Sequence, residues 1–101
     1  MLTTPEVGSI IEIEGFHFPL AHLTVTECTF TLKFQTVEDF SKFEDLLRER
    51  ALFSKERFTR YFDAIVHGRG GEKTLLSFCY VCGSLMKELV ITCEAFEKVE
   101  Q

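Results

Sequence analysis

Apolar and polar residues alternate along much of this chain, and the points where the alternation changes phase carry the first information about its architecture. Residues 11–14, Ile-Glu-Ile-Glu, alternate with period two, as a strand with one wet face does. Phe16 and Phe18 continue in the opposite parity with Gly15 at the switch, which predicts a bulge or bend at the glycine. A turn is expected over 19–22. From Cys28 the even positions read Cys28, Phe30, Leu32 and Phe34, and the odd ones Thr29, Thr31, Lys33 and Gln35. This is the clearest strand of the chain, with β-branched threonines on its polar face. Leu23 and Val25 have the other parity, so a second bulge is expected near Thr26 and Glu27.

The period then becomes helical over 36–51. The Thr36 hydroxyl can accept from the third helical amide, and Glu38 and Asp39 suit the positive end of the helix dipole. Phe40, Phe43, Leu46 and Leu47 form one stripe, with Val37 and Ala51 at its ends. Glu38–Lys42 and Glu44–Arg48 are spaced for ion pairs along the helix. Residues 54–67 fit two periods. Phe58, Tyr61, Phe62, Ile65 and Val66 have helical spacing, yet the stretch is rich in strand formers and leads into a glycine-rich hairpin connection at 67–72. The strand is adopted, because the run 75–82, apolar on both faces apart from Ser77, needs a neighbour. Residues 83–87 read as a connection. The β-branched Val90, Ile91 and Thr92 make 89–96 the last strand, although Leu85, Leu89, Cys93 and Phe96 also fit a helix. The expected fold is α+β in a single domain, 1–101. About five mostly antiparallel strands pack on one amphipathic helix, with 54–67 as the place for a second helix.

Composition narrows the function classes. With 101 residues, 46% of them hydrophobic, the chain can bury one core without covalent staples. A net charge of −5 disfavours non-specific binding to nucleic acid or an acidic membrane. The charge is uneven: Arg48, Arg50, Lys55, Arg57 and Arg60 are close in sequence, while Glu6, Glu12 and Glu14, then Glu88, Glu94, Glu97 and Glu100, lie toward the two ends. The basic stretch interleaves with Phe53 and Phe58, a mixture that suits single-stranded nucleic acid, but net acidity favours a solvated face. Residues 1–5 have neither the basic region nor the apolar stretch of a secretory signal. The longest uncharged run, 74–86, is well short of the about 20 residues that span a bilayer as a helix. A reducing cytoplasm or an assembled particle is therefore the expected setting, with four free cysteines.

One motif has the spacing of a metal or redox site. In Cys79-Tyr-Val-Cys82-Gly83 a tight turn would aim both thiolates at one zinc ion. No second paired motif completes a tetrahedral site, and residues three apart on a regular strand point to opposite faces. Cys79 and Cys82 are the metal candidates, and the expectation is that no metal or other cofactor binds. A thioredoxin-type reading fails, since no proline follows the motif. The loop 68–74 lacks the order of a phosphate-binding loop, and His17, His22 and His67 have no paired helical spacing. No catalytic residue is predicted. The expected function is a non-catalytic protein–protein binding or assembly module, with itself or another protein as partner, such as a structural subunit of a symmetric viral or tail-like particle. Its site is expected at an unpaired strand edge over 9–18, with Phe16 and Phe18 as anchors and Glu12 and Glu14 deterring random pairing. The alternative is a small acidic inhibitor or immunity-type protein covering a basic enzyme surface. Zinc-binding and nucleic-acid-binding domains rank below both.

Overall fold

The computed structural model describes residues 6–99; the segment 1–5, read above for a signal, and Glu100 of the acidic end lie outside the described residues. The elements in chain order are β1 (Ile10–Ile13), β2 (Phe16–Thr26), β3 (Thr29–Phe34), α1 (Val37–Arg50), β4 (Leu52–Ser54), β5 (Thr59–His67), β6 (Lys73–Leu85) and β7 (Glu88–Val99). Neighbours in the sheet run β1-β2-β3-β7-β6-β5-β4, all antiparallel, and β1 also pairs with β5. That last pairing closes six strands into a barrel, with β4 sharing one edge of β5 with β1. One helix on mostly antiparallel strands is as expected. The count of about five strands is corrected to seven, and the sheet closes on itself instead of lying open.

Both changes of parity arise from reversals of the chain. Ile13 pairs with Phe16 across a two-residue turn, Glu14 and Gly15, whose φ angles are 49° and 86°. Such left-handed pairs are the tight turns that match strand twist. Thr26 pairs with Thr29 across a second two-residue turn, Glu27 and Cys28, in which Glu27 alone is left-handed, with φ 54°. Partners across such a turn differ by an odd number and share a face, so the inward set switches parity. The one true bulge of the region falls inside β2, between Leu20 and His22, where a turn was expected. It moves the inward positions from Phe18 and Leu20 to Leu23, which is how β2 stays buried on one side.

Residues 52–67 form the β4–β5 hairpin, and no helix occurs there or over 84–97. The expected connection at 83–87 shrinks to Met86 and Lys87, because β6 runs on through Gly83 to Leu85. The helix begins as read: the Asp39 amide donates to Thr36 Oγ1 at 3.1 Å. Phe40, Phe43, Leu47 and Ala51 are buried and Leu46 packs at the margin, but Val37 is 61% exposed and does not join the stripe. Arg48 pairs with Asp45 at 2.9 Å, and Glu44 accepts from Ser84 Oγ at 3.3 Å. Neither Glu38–Lys42 nor Glu44–Arg48 occurs among the ion pairs of the described residues.

Phe43 shows where the helix sits. Its ring lies 5.3 Å from that of Phe18 on β2, 5.1 Å from Phe34 on β3 and 6.4 Å from Phe62 on β5. In the six-strand ring β3 and β5 are opposite walls, so a side chain touching both plugs the end of the barrel. Aromatic pairs of this kind add about 0.5–1.5 kcal/mol each beyond the area they bury. The β4–β5 and β6–β7 turns lie at this helix end. The far end carries the β2–β3 turn, the loop 68–72 and the bridge between Glu6 and Leu23. Among the described residues no helix is long and apolar enough to cross a membrane.

Candidate functional site

The edge strand expected over 9–18 does not exist. β1 is paired on both sides, with β2 through Ile10–Ile13 and with β5 through Ile10, Ile11 and Glu12. Phe18 is 5% exposed and belongs to the core, so it cannot anchor a partner in the folded chain. Phe16 is half-exposed in a shallow depression between β2 and α1, beside Lys42 and Leu46. Glu14 accepts from Arg50 at 3.2 Å. The four residues thus separate into a core position, a depression, an ion pair and the cluster around Glu12.

On the outer wall, where β1 closes the barrel, Glu12 Oε1 lies 2.7 Å from His67 Nε2 and 3.0 Å from His17 Nε2. The two imidazole rings are 5.5 Å apart. The hydrogen bond with His67 holds the Glu12 carboxyl below its ordinary range against the opposing effect of burial, and the charges of His17, His67 and Lys73 act in the same direction as the bond. Spacing along the sequence could not reveal His67. It could have revealed His17, because the two-residue turn at 14–15 sets Glu12 directly opposite His17.

The Cys79 and Cys82 side chains do not converge. Cys79 is buried and faces Cys93 across the β6–β7 ladder with sulfurs 2.8 Å apart, while Cys82 is exposed and lies 2.8 Å from Thr92 Oγ1. The contact with Cys93 and burial push the Cys79 thiol well above its ordinary pKa, which makes it a poor nucleophile. Cys28 lies at the β2–β3 turn, not within a strand.

The helix end carries a group of exposed apolar residues. Leu52, Phe53, Phe58, Val81, Leu85 and Met86 are all exposed there, Phe58 to 83%. Phe58 closes the four-residue β4–β5 turn and shares a depression with Arg48, Arg60 and Val81. The Arg60 guanidinium stands 5.7 Å from the Phe53 ring. Beyond it, a groove of about 640 Å³ crosses β5 between the Glu14–Arg50 pair and Phe78. Phe58 and Phe78 both have φ near +52°, a left-handed backbone that costs a bulky L-residue about 1–2 kcal/mol. Phe78 occupies the bulge where β6 passes Asp63, whose carboxylate accepts from its amide at 3.0 Å.

The far end of the barrel is different. A cavity of about 250 Å³ opens there, with Leu23, Val25, Phe30 and Phe96 in its lining and Glu6 and Glu72 among its polar residues. No protein-family model matches the chain, and neither a curated protein nor a solved structure matches it. What can be said of function therefore rests on these sites.

Proposed function

We propose that this chain is a non-catalytic assembly module that binds further copies of itself head to tail. The observation that carries the reading is the concentration of exposed apolar residues at one end of the barrel, opposite an apolar cavity at the other. Apolar side chains grouped on a surface usually mark a place where another molecule docks. Phe58 forms a projecting knob flanked by Lys55 and Arg57. The cavity at the far end is apolar within and has the carboxylates Glu6 and Glu72 beside it. A cavity of about 150 Å³ already accepts a benzene ring, so one Phe side chain is a reasonable occupant of this larger one. The socket's lining holds Lys98 besides Glu6 and Glu72 and stays net acidic, while the turn that carries the knob sets Lys55 and Arg57, the latter paired with Glu94, against Glu56. The left-handed backbone under Phe58 also argues for a role, since such strain tends to persist where function requires the geometry.

Knob and socket lie on different surfaces, so the contact is heterologous and generates rings or filaments according to its rotation. This deepens the expectation of a structural subunit and moves its site from Phe16 and Phe18 to Phe58 and the far cavity. Light scattering after size exclusion tests it. The wild-type chain should form oligomers larger than dimers as concentration rises, and Phe58→Asp should be monomeric with an unchanged melting temperature. Glu6→Arg/Glu72→Arg should also be monomeric. Mixed together, the two variants should give a 1:1 dimer, because the first retains a socket and the second a knob. A wild-type chain that stays monomeric at high concentration would sink the proposal and return the reading to a small acidic inhibitor.

A further inference from the structure

The cluster at the closing seam has a geometry that an ordinary surface ion pair does not need. Three side chains from three adjacent strands, Glu12 on β1, His17 on β2 and His67 on β5, direct one donor atom each at a common point. All three donor atoms lie within 4.8 Å of one another. We propose that Glu12, His17 and His67 form a binding site for one divalent transition-metal ion of the zinc class.

Several features support this occupant. Two imidazole nitrogens and one carboxylate oxygen are the donor set of open zinc sites, which hold three protein ligands and leave a fourth position for water or another ligand. In a tetrahedral site with bonds near 2.0–2.1 Å, donors stand about 3.3 Å apart. The observed 2.7 and 3.0 Å separations from Glu12 Oε1 are close to that value, and all three donors stand within 4.8 Å of one another. The same Nε2 atoms that now face the carboxylate are those that would face the ion. Mixed nitrogen and oxygen ligands favour zinc, nickel, cobalt or copper, whereas magnesium and calcium take oxygen donors. His17 is about half-exposed, so the fourth position opens to solvent.

The position gives the site a consequence for the fold. β1 is four residues long, and it joins β5 through three residue pairs alone. An ion held by Glu12, His17 and His67 would clamp that closure from outside, linking residues fifty-five apart in sequence. The Lys73 ammonium, whose charge acts on Glu12, opposes the added positive charge and limits affinity. The inference does not rest on the head-to-tail contact: neither Phe58 nor a residue lining the far cavity supplies a ligand, although His67 lies between Val66 and Gly68 of that lining.

Zinc titration of the untagged chain by calorimetry, with thermal melts in parallel, tests the site. One zinc per chain should bind saturably at neutral pH, in the presence of excess magnesium. His17→Ala should weaken zinc binding by at least about tenfold, since loss of even an outer partner of a metal ligand costs 10–100-fold. Because His17 is half-exposed, this variant should keep the metal-free melting temperature while losing the rise that zinc produces in the wild type. Glu12→Gln should weaken zinc in the same way, and Cys82→Ser should bind as the wild type does. The proposal is overturned by a wild-type chain without saturable zinc binding, or by His17→Ala and Glu12→Gln binding zinc as tightly as the wild type. It is also overturned if Cys82→Ser abolishes binding, since the exposed thiol is then the ligand.

Discussion

In its core and on its surface, the barrel uses the same residue type in opposite ways. Of eleven phenylalanines, six (Phe18, Phe30, Phe34, Phe40, Phe43 and Phe62) are buried, and five (Phe16, Phe53, Phe58, Phe78 and Phe96) are exposed. Most of the buried ones sit at inward positions of strands or on the helix stripe, and meet one another edge to face. Phe34 and Phe40, for example, lie 5.8 Å apart with planes at 71°. Two of the exposed ones, Phe58 and Phe78, stand on left-handed backbone at a turn and a bulge, where local propensity opposes a bulky side chain. The first group follows the alternation of its elements. The second departs from what the local chain prefers, and for Phe58 the proposed head-to-tail docking would supply a reason for the departure.

Substitutions at the two regions should separate them sharply. Phe43→Ala removes the ring that touches three strands and should lower stability by about 3–5 kcal/mol in chemical denaturation. Phe58→Ala, measured the same way, should stay within about 0.5 kcal/mol of the wild type, as exposed sites do, and act on assembly instead. Similar losses at both positions would erase the distinction between the two regions. Between these lies Thr36→Ala, which removes the cap of the helix but none of its packing and should cost about 1 kcal/mol. A loss as large as that of Phe43→Ala would mean that the helix is held by its start and not by its stripe. The smallest effect belongs to the cysteines. Alkylating Cys82 in the native chain should leave the melting temperature unchanged, while Cys79 and Cys93 react only after unfolding. Rapid native labelling of Cys79, followed by mass spectrometry, would contradict its burial.

Much of the architecture was legible in local pattern. The helix over 36–51, its cap at Thr36 and the alternation read as a strand from Cys28 follow from near neighbours alone, whereas the strand reading of 54–67 rested on the need of 75–82 for a neighbour. The two parity switches near Gly15 and Glu27 were visible as well, but their meaning was not. A bulge and a two-residue hairpin both shift the inward set by one, so alternation cannot tell a bent strand from a reversed one. That ambiguity produced the edge strand over 9–18 and placed Phe18 on the surface.

Local pattern determined the inward positions of β3, where the helix lies and that the chain needs one core. Tertiary structure decided that the sheet closes, which end the helix plugs, and that Glu12 meets His67 fifty-five residues away. The physical reason is one of range. Alternation and capping are properties of adjacent residues, whereas closure depends on the three pairs between β1 and β5, to which nothing within either strand points. The candidate metal site exists only because those pairs form.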